Sequence, residues 1–133
     1  MKRMAVIRKQ DLDAGRAAFH EWNDAARTQG IDATNALPRR LWAMAVRYSL
    51  FLLEQRAPGE GVEVRVAPWG AIKILEGPAS DPHNLTPPDV IELEPEVWLS
   101  LACGLTDWDQ EKEAGHITAV GERDDLSELL PLV

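Results

Sequence analysis

Cysteine is almost missing from this chain. Its single thiol, Cys103, excludes an internal disulfide framework and suits a reducing compartment. Basic residues are also few, with 14 Lys plus Arg against 22 Asp plus Glu, a net charge of −8. No basic stripe offsets that excess, so nucleic acid is not an expected partner, and an anionic membrane surface would repel the chain. No apolar run is long enough to span a bilayer, so no stable membrane insertion is expected. The N-terminus, MKRMAVIRKQ, has basic residues with no apolar stretch behind them. It does not read as a secretory signal, and a cytoplasmic location is the expectation.

Chemistry-bearing motifs are equally sparse. The three histidines, His20, His83 and His116, match no metal-ligand spacing, and no Gly-x-Ser-x-Gly is present. Gly59-Glu60-Gly61 lacks the lysine of a phosphate loop and follows a helix where that motif needs a strand. Asp107-Trp108-Asp109 places two carboxylates two apart at a helix start, where they do not face each other; capping explains them better. The expectation is no metal, no cofactor and no enzymatic activity.

Apolar surface, by contrast, is abundant. The 133 residues are 45% hydrophobic and include five tryptophans, enough for one domain with one core. Residues 1–37 read as an N-terminal helix and loop extension, and residues 38–133 as the core of that single domain. Asp11 to Gln29 is a predicted helix with Leu12, Phe19, Trp22 and Ala26 on one face and Asp13, His20 and Arg27 opposite. From about Pro38 to Arg56 a second helix is apolar almost all round, with a narrow strip of Arg40, Arg47 and Glu54. Such a helix is buried on more than one side.

Val62 to Val66 alternates valine with Glu63 and Arg65, the pattern of a strand with one dry face and one wet face. Ala67-Pro68-Trp69-Gly70 predicts a type I turn, and Ala71 to Glu76 returns as the hairpin partner. The loop GPASDPHNLTPP follows. Asp89 to Leu93 is a third strand, Glu94 to Cys103 and Asp107 to Ala114 are short helices, and His116 to Val120 is a fourth strand. Asp124 or Asp125 caps a last turn before Pro131. The order predicts an α+β fold: a mixed, mainly antiparallel sheet of four to five strands with helices on one face.

Several residues carry two readings each. His83, beside Asp81, is a loop hydrogen-bonding residue, or half of an Asp-x-His pair that serves as a base or holds a metal. Cys103 follows an apolar run and reads as a small buried hydrophobe. Trp69, third in its turn, either points outward as a partner site or folds back on the sheet. The apolar excess is a filled core with a homodimer interface, or a cavity lined by Tyr48, Phe51, Leu52, Val90, Ile91, Trp98, Leu101, Ile117 and Leu129.

Three stretches then carry a family resemblance: VRYSLFLLEQRAPGEGVEVRVAPWGAIKILEGP, TPPDVIELEPEVWLSLACGLTDW and GHITAVGERDDLSELLPL. They contain a long helix before a hairpin, a helix ending in Leu101-Ala102-Cys103-Gly104, and the strand Gly115-His116-Ile117-Thr118-Ala119-Val120-Gly121. In this order they resemble the bacterial sterol-carrier-protein family over about two-thirds of the chain. The resemblance implies a five-stranded sheet with helices on one side, an apolar tunnel for a lipid, fatty-acyl or sterol-like ligand, and no catalytic residues.

Overall fold

A computed structural model describes residues 5–77 and 89–133. Helix α1 spans Leu12–Gln29 and ends at Gly30, whose φ of 94° breaks the helix. A 3-10 turn over Ile31–Ala36 leads to α2, Arg39–Arg56, with Pro38 in the capping position. Strands β1 (Val62–Val66), β2 (Gly70–Ile74) and β3 (Asp89–Leu93) follow, then helices α3 (Pro95–Ala102) and α4 (Trp108–Glu113), and strand β4 (Ile117–Val120). A 3-10 turn over Ser127–Leu129 closes the order. Asp107 caps α4 by accepting from Gln110 N–H at 2.9 Å. Asp125 accepts from Ser127 N–H at 2.8 Å and so starts the final turn.

The sheet has the order β2-β1-β3-β4. β1 pairs antiparallel with β2 and parallel with β3, and β3 pairs antiparallel with β4. The fold is therefore α+β with a mixed, mainly antiparallel sheet. Among the described residues it holds four strands. Of the two places considered for a fifth, the segment after Gly121 forms no strand, and residues 78–88 lie outside the described residues.

Alternation sorts the side chains. Val62, Val64, Val66, Ile72, Ile74, Ile91 and Leu93 are buried on one face. The other face carries Glu63, Lys73 and Glu92, with Arg65 bonded to Glu63 and, at 3.2 Å, to Glu92. Helix α2 lies over the dry face with Val46, Leu50 and Leu53 fully buried, and α1 packs on α2. Burial of each such side chain contributes about 1.5–3 kcal/mol. The helices approach closely at Gly15, where an added Cβ would lie 2.9 Å from Tyr48 Cβ and 2.7 Å from Ile7 Cδ1. Trp98 of α3 is buried against α2, its Nε1–H donating to Ser49 Oγ at 2.8 Å.

The type I turn expected over Ala67–Gly70 is corrected. The turn bond runs from Trp69 N–H to Val66 C=O at 3.0 Å, one residue earlier, and the Ala67–Pro68 peptide is cis. Trp69 is thus the fourth residue of the turn, and this register brings its ring back toward α2.

Candidate functional site

At this end of the molecule four separate segments meet around an open groove of about 540 Å³. Asn35 and Leu37 come from the link before α2, Arg39 and Trp42 from its first turns, and Trp69 from the β1–β2 turn. Glu94, Pro95, Glu96 and Val97 supply the start of α3, and His116 the residue before β4.

The aromatic wall is built from the core outward. Trp22 meets Trp42 edge to face, with ring centroids 5.6 Å apart at 76°. Trp42 donates its Nε1–H to Thr34 C=O at 3.1 Å, which fixes the ring, and buried Thr34 in turn donates to Ile31 C=O at 2.6 Å. Trp69 stacks on Trp42 at 6.3 Å and 28°. Its carbonyl accepts from Arg47 Nε at 3.0 Å, so the narrow polar strip of α2 anchors the turn. Arg39 places its guanidinium carbon 5.6 Å from the centre of the Trp69 ring, within cation–π range. Trp22 Nε1 has no hydrogen-bond partner among the described residues.

His116 links the groove to a polar cluster beside it. His116 Nδ1 lies 2.6 Å from Glu111 Oε2, and Thr106 Oγ1 donates to Glu111 Oε1 at 3.1 Å. Two smaller hollows, of about 330 and 340 Å³, adjoin the groove, and Val97 and His116 line all three. This constellation can hold and orient a ligand. Among the described residues His116 and the Thr106 hydroxyl both turn to Glu111. Among the described residues no group of three or more His, Cys, Asp or Glu could hold a metal ion.

The nine residues expected to line a cavity are distributed differently. Ile91, Trp98 and Leu101 are buried in the core, and Trp98 spends its N–H on Ser49. Tyr48 and Phe51 are half-buried neighbours with centroids 6.4 Å apart, and Tyr48 also meets Phe19 of α1 at 6.0 Å. Leu52, Ile117 and Leu129 are half-buried against the core. Val90 faces away from Ile91, on the wet side of the sheet, paired with exposed Val120. None of the nine is a wall of the Trp42–Trp69 groove.

His20 is exposed, and Cys103 is fully buried. Burial pushes the Cys103 thiol up to about 12. The Asp81–His83 pair lies outside the described residues. Sequence reasoning singled out Trp69 but missed Trp42, Arg39 and Val97 as its companions. The tryptophan count was the available signal.

The family model described as "Bacterial SCP ortholog" matches residues 38–132. The chain belongs to this bacterial sterol-carrier-protein-like family. The matched part contains α2, the whole sheet, α3 and α4, hence both groove tryptophans and both of its carboxylates. Helix α1 and the turn that fixes Trp42 precede it. No curated protein matches the chain. Among the described residues no helix is long and apolar enough to cross a membrane.

Proposed function

We propose that this sterol-carrier-like chain is a non-catalytic binding domain for a lipid-like molecule, a fatty-acyl or sterol-like apolar body carrying a polar end. The Trp42–Trp69 groove carries this reading. Its volume falls in the range of small-molecule sites, roughly 300–1,000 Å³. Leu37, Trp42, Trp69 and Val97 offer apolar contact, and Arg39, Glu94, Glu96 and His116 stand at the rim to orient a polar end. Rings fixed by hydrogen bonds and stacking are already ordered, so little conformational entropy is lost when a ligand arrives.

Native mass spectrometry of the purified chain, with solvent extraction of whatever it carries, tests the proposal. A co-purified acyl or polycyclic species, lost from Trp69→Leu, is the expected outcome. A clean apo mass, unmoved by added fatty acids, acyl ammonium compounds and sterols, would overturn it.

A further inference from the structure

We infer that the ligand this groove takes carries a positive head: a cationic amphiphile, with an ammonium or amidinium group on an apolar chain or ring. The inference rests on the carrier reading and adds the sign of the head group. A cation already occupies the face of the outer tryptophan, since the Arg39 guanidinium sits 5.6 Å from the Trp69 centroid. That face carries the negative lobe of the ring quadrupole and selects positive charge. Arg39 is exposed, stands in the first turn of α2, and makes no hydrogen bond or ion pair among the described residues. With no other partner to give up among the described residues, Arg39 can yield the ring face to an incoming head group at little cost.

The same groove is lined by two carboxylates, Glu94 and Glu96, both exposed and neither hydrogen-bonded nor ion-paired among the described residues. Their charged neighbours are already engaged, Glu111 by His116 at 2.6 Å and Glu92 by Arg65 at 3.2 Å. The dipole of α3 explains why acids stand at its start. Two free carboxylates against one guanidinium leave the groove negative, within a chain of net charge −8. That field draws a cationic head and repels a carboxylate. The head then lies between Trp69 and the glutamates, and the tail runs along Trp42 and Val97.

The test uses the full chain and three ten-carbon probes below their micelle concentrations: decyltrimethylammonium, decanoate and decyl maltoside. Binding is read by calorimetry and tryptophan fluorescence at physiological ionic strength. Decyltrimethylammonium is expected to bind at least about ten-fold more tightly than decanoate. The double variant Glu94→Gln/Glu96→Gln should remove most of that preference, and Glu122→Gln/Glu128→Gln, an equal charge change outside the groove, should keep it. Equal affinities for all three probes would sink the inference and leave the carrier reading standing. A preference lost equally in both double variants would assign it to bulk charge and also overturn the inference. Binding of none of the probes would remove both.

Discussion

Replacing Ser49 by alanine should cost this protein far more than the loss of one hydroxyl on a surface helix. Ser49 and Trp98 are both fully buried, and the indole N–H donates to Ser49 Oγ at 2.8 Å. Ser49→Ala leaves that N–H unpaired in a dry interior, at about 1–3 kcal/mol. One effect offsets it slightly, and the lost hydroxyl adds little further cost. Alanine favours the helix over serine by at most about 0.7 kcal/mol. The Ala45 and Val46 carbonyls that accept from the serine hydroxyl are placed to keep their backbone partners in α2. The net is a loss of about 1–2 kcal/mol. For 133 residues, an unfolding entropy of about 2.1 cal/mol/K per residue gives about 280 cal/mol/K, so the melting temperature should fall by about 4–7 °C. Urea unfolding of Ser49→Ala, Trp98→Phe and the double variant closes a cycle. Phenylalanine removes the donor, so Ser49→Ala should be nearly neutral in that background, with a coupling of about 1 kcal/mol or more. A single variant within about 0.5 kcal/mol of the parent, or additive changes, would refute the reasoning.

Gly15→Ala sets two effects against each other: helix propensity favours alanine by about 1 kcal/mol, while overpacking costs about 1–3 kcal/mol. Tyr48 Cβ, only 2.9 Å from the new methyl, cannot swing aside as a side-chain end could, so a lower melting temperature is expected and a higher one would contradict the close approach of α1 and α2. Cys103 should ignore a thiol reagent at pH 8 in the folded chain and react fully in denaturant, since its folded thiol titrates only at about 12 against 9.0 for the free group. The unfolded chain then releases this proton first as pH rises, so the thiol lowers stability between pH 9.0 and about 12. Cys103→Ala should lose stability less steeply than the parent over that window, and parallel curves would show that burial does not hold the proton.

Much of the frame was readable because local chemistry and packing agree. The heptad-like pattern of α1, the all-round apolar α2 and the alternation of β1 each demand one way of being buried, and glycine with φ near 76–94° stops α1 at Gly30, α3 at Gly104 and α4 at Gly115. Two features escaped for physical reasons. Val90 and Ile91 were grouped by hydropathy, but neighbours on a strand face opposite sides, and the pairing with Val120 puts Val90 on the wet face. The turn before β2 was misplaced by one residue because Ala67-Pro68-Trp69-Gly70 suits more than one turn frame, and only the strand pairing that sets Gly70 opposite Val66 selects one.

The groove is harder still to see in sequence, because its order lies in no single segment. Thr34 fixes Trp42 through a carbonyl, Arg47 fixes Trp69 through another, and the two rings then fix each other. Each link joins segments whose separate patterns announce only a core helix, a cap or a turn. Arg47 shows the difficulty best. On the helical wheel it belongs to the solvated strip of α2, yet in the fold its guanidinium holds the turn that carries Trp69. Polar residues on an otherwise apolar helix are therefore not only its wet face. Here one of them sets where an aromatic side chain stands, and so determines that the apolar surplus of this chain forms a walled groove instead of more core.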